Sequence, residues 1–406
     1  MDTSQSRRSV RPSPTHRAVV GIAVDAMMGH GRAILRGAMR YANAGRRWLI
    51  HEELRAALPD HLPWPICDGA ITSTSDARLG RMIRSRTEFL VVCTGNADPD
   101  DTPVVCADDS AVGAVAADHL LDCRLERFRF YGCRQEKVSV NRYDGFARRV
   151  EARGKSADWL EVEYPERYLW MKRRHWPALA QAVRRLPKPV GIFARDDMAA
   201  HDLAAACLEA GIAVPDDVAI VGVNNDELLC ESAWPALSSV DIDFSLVGYR
   251  AAQLLEKLLS REDLSPQERL VKIAPKGVRK RQSSDLLAVN DELLAEAVRY
   301  IRDHACDPCT VNHVLRAVPI ARRRLEKQFV ANLGRTPHDE IVRVRLEQAQ
   351  RLLQRPEETL EHISVVCGFS APGNMTRTFK EVLHTTPGAY RRQYLEKLLP
   401  TPTRRK

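Results

Sequence analysis

From residue 18 to about residue 275, short unbroken apolar runs alternate with longer stretches whose apolar positions recur every three or four residues. The runs at 18–24, 69–71, 89–93, 104–106, 128–131, 190–193 and 218–223 predict strands, being too short for helices and rich in β-branched residues. The stretches at 31–44, 110–121, 144–153, 176–186, 197–211 and 244–259 predict helices. Unbroken runs mark strands covered on both faces, as in parallel sheets. The pattern therefore predicts a doubly wound α/β domain over 18–274, with any ligand held outside the carboxyl ends of the strands.

Residues 275–288 are polar, basic and without period, and predict a linker. Beyond them strand texture disappears. A short helix at 311–317, a turn at 318–320 and a helix at 321–332 predict a helix-turn-helix unit. Leu325 and Phe329 share the core face of its second helix, while Arg322, Arg323, Arg324 and Lys327 spread over the rest. The arrangement recurs at 362–367, 368–370 and 372–383, where Phe379 again follows Met375 by four. A helix at 337–354, opened by Thr336-Pro337, joins the two units. At 1.5 Å per residue it is about 27 Å long. Adding the widths of the two units approaches the ~34 Å between successive major grooves on one face of DNA.

Composition sharpens this division. The chain has 406 residues, 44% hydrophobic and 28% charged, enough for two or three cored domains. Its net charge of +8 is uneven. Residues 276–406 carry 24 basic and 15 acidic groups, whereas 1–275 carry 37 and 38. A basic helical module on a near-neutral α/β domain points to a polyanion-binding end, which the paired helix-turn-helix pattern makes double-stranded DNA, and a sensing or catalytic end. An ordinary basic surface is the plain alternative for the charge alone. No apolar run reaches the ~18 residues of a membrane span. The start lacks the apolar core of a secretory signal. The ten cysteines fit reduced thiols and a cytoplasmic setting. Residues 1–17 read as a disordered basic arm and 397–406 as a basic tail.

Catalytic motifs are missing: there is no phosphate loop, nucleophile elbow or His-Glu-x-x-His. No cofactor is expected. His304, Cys306, Cys309 and His313 have the spacing of a zinc site, but they lie at a junction of helices, and semi-buried thiols are the favoured reading.

The run Arg335-Thr-Pro-His-Asp-Glu-Ile-Val-Arg-Val-Arg-Leu-Glu-Gln-Ala-Gln-Arg-Leu-Leu353, with Cys367-Gly-Phe-Ser370, Phe379-Lys380, Thr386-Pro387 and Tyr390-Arg391, closely resembles the AraC/XylS-type DNA-binding domain over 289–396. The resemblance implies that Arg323, Glu326 and Lys327, flanked by Arg322 and Arg324, read one major groove. Asn374, Thr376 and Arg377 would read the next. Arg323 and Arg377 suit bidentate contacts to guanine. Two departures stand out. Ala321 replaces the usual oxygen-bearing cap of the first reading helix, and Pro372 and Gly373 occupy positions that often carry polar base contacts. Weaker reading of the second half-site is therefore expected.

In the α/β part, Asp68-Gly-Ala-Ile71, Val105-Cys-Ala-Asp-Asp109, His119-Leu120, Asn141-Arg-Tyr-Asp-Gly-Phe146, Ala194-Arg-Asp-Asp197, Val221-Gly-Val-Asn-Asn-Asp226 and Ala236-Leu-Ser-Ser-Val240 fall in the order of LacI/GalR-type, periplasmic-binding-protein-like domains. This second resemblance implies two lobes of parallel sheet about a sugar cleft. Its ligand contacts would be Arg142, Asp196 and Asn224, with Asp108, Asp109 and Arg195 nearby. A guanidinium forks onto adjacent hydroxyls and carboxylates accept from others. The plain alternative is helix caps and ion pairs, since Asp108, Asp196 and Asn224 all follow strands. Trp64, Trp170 or Trp234 would be the stacking ring or simply core.

Such a domain ahead of an AraC-type module resembles the layout of bacterial xylose-operon regulators. That layout implies a dimeric activator that answers to a pentose and works with RNA polymerase at direct half-sites. Asn224 stands where that family usually has Asp, and Arg195 where it has a small residue or Asn. This shift toward positive charge leaves a pentose bound differently or a sugar acid as effector. A sugar-modifying enzyme with an appended DNA-binding domain, and a constitutive DNA binder whose α/β domain only dimerises, are the competing readings.

Overall fold

The computed structural model describes residues 17–45, 48–53, 65–74, 77–162, 172–286, 291–353 and 357–398. They fall into two compact units, divided between Leu286 and Leu287.

The strands of the first unit begin with β1 (Ala18–Ala23), β2 (Trp48–Glu53), β3 (Cys67–Thr72), β4 (Thr87–Val92), β5 (Val104–Ala107) and β6 (Phe128–Tyr131). They continue with β7 (Ala157–Trp159), β8 (Val190–Ala194), β9 (Val218–Val223), β10 (Ser238–Asp241), β11 (Leu270–Ile273) and β12 (Gly277–Arg279). Its helices are α1 (Gly29–Asn43), α2 (Ala77–Ser85), α3 (Asp109–Asp122), α4 (Lys137–Glu151) and α5 (Lys172–Arg184). After these come α6 (Asp197–Glu209), α7 (Glu227–Ser232), α8 (Phe244–Leu259) and α9 (Pro266–Arg269).

Among the described residues the strands form two six-stranded sheets, ordered β11-β5-β4-β3-β1-β2 and β12-β10-β9-β8-β6-β7. Every pair is parallel except β10 with β12. Strands β8 and β9 are buried at every residue, as their unbroken apolar runs require. Each sheet is the centre of a lobe, and the chain crosses between them. Helix α3 leaves β5 of the first sheet and packs on the second, α8 leaves β10 of the second and packs on the first, and β11 is followed by β12. The first lobe's core joins Val20, Ile22, Ile71 and Val91 to Val247 and Leu255 of α8. The second joins Phe128, Phe130, Phe146 and Phe193 to Val112 and Leu120 of α3.

The expected linker is corrected by this sheet. Gly277–Arg279 is its antiparallel edge strand, and Ser283 and Ser284 beyond it are wholly buried. Serines escape hydropathy patterning, yet here each is satisfied. Ser283 Oγ donates to the Ile220 carbonyl at 2.7 Å and Ser284 Oγ to Ser238 Oγ at 2.7 Å. The chain therefore belongs to the α/β unit as far as Leu286. The basic arm before Arg17 lies outside the described residues, as does the tail after Leu398.

The second unit contains α10 (Glu292–His304), α11 (Val311–Ala317), α12 (Arg322–Leu333), α13 (Pro337–Leu353), α14 (Leu360–Val366), α15 (Pro372–Leu383) and α16 (Pro387–Leu398). Helices α11 and α12 form one helix-turn-helix, α14 and α15 the other. Helix α13 serves two cores: Ile341 and Val344 pack with Leu325 and Phe329, whereas Leu346, Ala349 and Leu353 pack with Met375 and Phe379. Its Glu340 is fully buried beside Arg335 and Arg343. Ala321 caps α12 with no side-chain hydrogen bond, and Ala371 does the same for α15.

Candidate functional site

The carboxyl ends of both sheets face a common cleft, a cavity of about 180 Å³. That is far more than a water needs and suits a small solute. From the first lobe come His30 at the start of α1, Ser73 after β3, and Thr94 and Asn96 after β4. From the second come Arg142 of α4, Arg195 and Asp196 after β8, and Asn224 after β9. Asp109 opens the crossover helix α3 and lines the cleft too.

Helix packing sets Arg142 in place. Helices α3 and α4 touch backbone to backbone at Gly113 and Gly145, where an added Cβ would lie 2.1 Å from the Arg142 carbonyl and 2.0 Å from that of Ser110. At this separation Arg142 Nε donates to Asp109 Oδ1 at 2.8 Å, and Nη1 donates to the Arg195 carbonyl. Of the adjacent aspartates, Asp109 lines the cleft. The Asp108 carboxylate instead caps α3, accepting from Ala111 N at 3.3 Å. Asp196 combines both roles weighed for it. Its Oδ1 caps α6 by accepting from Ala199 N at 2.8 Å, and it also lines the cleft. Arg195 is held between Glu136 and Asp196, the latter at 3.0 Å. Both arginines thus face carboxylates, and the excess positive charge expected of the cleft is neutralised. Asn224 lies in left-handed backbone, φ 104°, a region where Asn is among the better-tolerated side chains.

Hydrogen bonds span the cleft at its rims. Gly29 N donates to Asp226 Oδ2 at 2.7 Å, and Val138 N to Asn96 Oδ1 at 3.1 Å.

In the second unit Arg322, Arg323, Arg324, Glu326 and Lys327 are all exposed on α12. Their engagements differ. Arg322 pairs with Glu326 at 3.3 Å and donates to Asn312 at 2.6 Å. Arg324 reaches Asp291 at 2.9 Å, a residue that caps α10. Among the described residues Arg323 and Lys327, one turn apart, have no such partner. On α15, Asn374 Nδ2 donates to Ser370 Oγ at 2.6 Å, Thr376 is half-buried, and Arg377 is exposed 3.9 Å from Glu381.

A periplasmic-binding-protein-like domain profile matches residues 117–284, and a helix-turn-helix domain profile matches 314–393. The xylose operon regulatory protein of Escherichia coli K12 is 30% identical over 390 residues, 93% of this chain and 97% of its own. The chain belongs to the xylose operon regulator family. Another family member, from Haemophilus influenzae, is 30% identical over 71% of this chain and 74% of its own. The solved structure of the xylose-binding transcription activator xylR matches with a TM-score of 0.74 at 28% identity, covering 93% of this chain and 99% of that one. A ribose-bound LacI-family regulator from Enterococcus faecium shares the fold alone, with a TM-score of 0.52 at 18% identity over 66% of this chain. Like its family, the chain is a transcription regulator with an AraC-type helix-turn-helix module behind a two-lobed sensor domain.

Sequence reasoning overlooked several cleft residues of this family member. His30 is half-buried, and its desolvation holds its pKa below the usual 6.5 despite Asp196, Asp25 and Asp226 nearby. Its ring meets Phe244, also in the cleft, at 5.4 Å between centroids. Both sit where a helix opens after a strand, which was the available signal. Of the tryptophans weighed as a stacking ring or core, Trp234 is 59% exposed and does not line the cleft, and Trp64 and Trp170 lie outside the described residues. The spaced His/Cys cluster has other engagements. His313 Nδ1 accepts from Thr310 N at 3.1 Å, and His304 Nδ1 meets Asp307 at 3.2 Å. Arg345 donates to the carbonyls of Ala305 and Cys309 around the two thiols.

Proposed function

We propose that this regulator takes a neutral pentose, D-xylose in the first instance, in the cleft between its lobes. The observation carrying this reading is the pairing of Arg142 with Asp109 and of Arg195 with Glu136 and Asp196. Guanidiniums already matched by carboxylates hold little spare charge for a sugar acid, but they still offer forked donors beside acceptors for hydroxyls. In this reading Arg142, Asp196 and Asn224 contact hydroxyls, Asp109 orients Arg142, and Phe244 offers the apolar ring face. Arg323 and Lys327 read the first half-site, with Glu326 beside them. Asn374, Thr376 and Arg377 read the second more weakly, because Pro372 and Gly373 supply no polar side chain. We infer a cytoplasmic homodimeric activator acting with RNA polymerase at direct half-sites, without a catalytic step of its own.

The test is thermal melting of the full chain with D-xylose, other pentoses, hexoses and sugar acids. A fragment ending near residue 278 would cut β12, so the full chain is required. A ligand at a hundred times its dissociation constant stabilises by about 2.7 kcal/mol. A shift with D-xylose supports the reading. A response to sugar acids alone overturns it. A footprint with equal, base-specific protection at both half-sites would refute the weaker second head.

A further inference from the structure

The segment that leaves the sensor domain passes directly beneath the loop that meets the cleft. After β12, Arg281 N donates to Ser238 Oγ at 2.7 Å. Its guanidinium then forks: Nη1 donates to the Leu237 carbonyl at 2.9 Å and Nη2 to Asn225 Oδ1 at 2.8 Å. Asn225 is the middle residue of the loop after β9, between Asn224, which lines the cleft, and Asp226, which accepts from Gly29 of the opposite lobe. The loop is unusually constrained. Asn224 and Asn225 have φ of 104° and 50°, consecutive left-handed residues that only a surrounding network can hold.

That network is visible. Asn225 N donates to Ser239 Oγ at 2.9 Å, and Asp226 N donates to the buried Asp197 Oδ2 at 2.7 Å. Asn224 N donates to the Val240 carbonyl at 3.0 Å. Strand β10, which supplies Ser239 and Val240, is also the partner of β12. The exit segment and the loop thus share a strand. Arg281 is the side chain of the exit segment that grips the loop itself.

We propose that Arg281 is a positioning residue that couples the state of the cleft to the segment leading into the DNA-binding helices. Building on the effector reading above, a sugar that engages Asn224 and holds the Gly29–Asp226 bridge closed fixes the position of the loop as a unit, and its release lets the loop move. Asn225 carries that motion to Arg281, and Arg281 carries it to residues 281–286. Arg281 touches no ligand. It acts only through Asn225.

The test uses full-length protein, D-xylose as probe, and a DNA site selected by the wild type from a random pool. Asn225→Gly removes the acceptor while keeping the left-handed backbone that glycine adopts freely. Asn225→Asp keeps the acceptor and strengthens it with charge. Allosteric coupling of the usual size changes DNA affinity about 5–150-fold on sugar binding. Asn225→Gly and Arg281→Lys are expected to reduce that change to under about threefold, with sugar affinity measured without DNA held within about threefold of wild type. Asn225→Asp is expected to keep the wild-type change. A structural role alone would lower the melting temperature and leave the ratio intact, and an unchanged ratio in Asn225→Gly overturns the proposal.

Hydrogen exchange supplies a readout that needs no sugar. Asn225→Gly should speed exchange at 281–286 as well as at 224–229, and an effect confined to 224–229 also overturns the coupling. If the wild type ignores D-xylose, the effector reading fails alone, and the exchange result still decides the role of Arg281.

Discussion

Arg142 Nε meets Asp109 Oδ1 at 2.8 Å, with both side chains under a tenth exposed, so the cleft's forked donor is fixed by a charge it cannot leave. Removing one member of a buried pair strands the other, at about 3–5 kcal/mol. Asp109→Ala should therefore lose stability of that order in urea denaturation. Arg142→Lys keeps the charge but not the fork, and should weaken D-xylose binding at least tenfold by calorimetry, ~1.4 kcal/mol, with a much smaller loss of stability. Equal sugar affinity in Arg142→Lys would remove Arg142 from the ligand contacts.

The basic residues of α12 should separate in DNA binding. Arg323→Ala should cost ~1–3 kcal/mol on the selected site and little on random DNA. Lys327→Ala, if it meets phosphate, should weaken both and lower the salt slope by about one. Arg324→Ala should leave specificity unchanged and cost the helical unit under ~1 kcal/mol, since Arg324 is itself exposed where it meets the cap Asp291. Fluorescence anisotropy across salt concentrations distinguishes the three.

Much of the architecture was readable from the chain. Wholly apolar runs such as 190–194 and 218–223 are buried on both faces and announce themselves. The edge and crossover strands did not, because β2 and β11 present an exposed face and β10 buries two serines beside its one aliphatic residue, Val240. The exit segment was mistaken for a linker for the same reason: Ser283 and Ser284 are buried by hydrogen bonds rather than by hydropathy. At the cleft, Arg142 and Asp196 were found because they lie in recurrent motifs. His30 and Phe244 were not, because nothing local marks which strand ends converge. The carboxylate that offsets Arg195 in the cleft was not legible either, because Glu136 lies 59 positions away in sequence.

Two buried groups of the second lobe should give the stability opposite slopes with pH. Burial pushes the Asp197 carboxyl up to about 7, against a usual 3.8, although Ser239 and the Asp226 amide favour its charged form. Between those values the folded state holds a proton that the unfolded chain releases, so this contribution is lost as pH rises from 4 to 7. Burial lowers His119 to about 4 from 6.5, aided by Lys280. There the unfolded chain binds the extra proton, so its contribution is lost as pH falls from 6.5 to 4. Each slope is at most about 1.4 kcal/mol per pH unit. Relative to Asp197→Asn, the wild type should lose stability from pH 5 to 7. Relative to His119→Gln, it should gain. Parallel curves in either comparison would reject that assignment.

Gly29 sits where the lobes meet. A Cβ there would lie 2.8 Å from Asp226 Oδ2, the atom that accepts from its amide. Gly29→Ala should therefore separate that rim and weaken D-xylose binding roughly fivefold, the ~1 kcal/mol of one hydrogen bond. Titration calorimetry reads this directly, and an unaltered affinity would show that the bridge plays no part in the sugar-bound state.

Helix α13 lends its first half to one core and its second half to the other, so the spacing of the reading heads is a covalent length. A single residue inserted between Val344 and Leu346 would turn one head about 100° around the other. Only about seven residues together restore the facing, and they carry the heads ~10 Å apart, some three base pairs. Such a protein cannot drift toward a new operator spacing by small steps. On the proposed two-headed reading its binding sites can change letter by letter, but the interval between them can change only in jumps, and an operator with one base pair added between its half-sites should be out of reach for one copy of the chain.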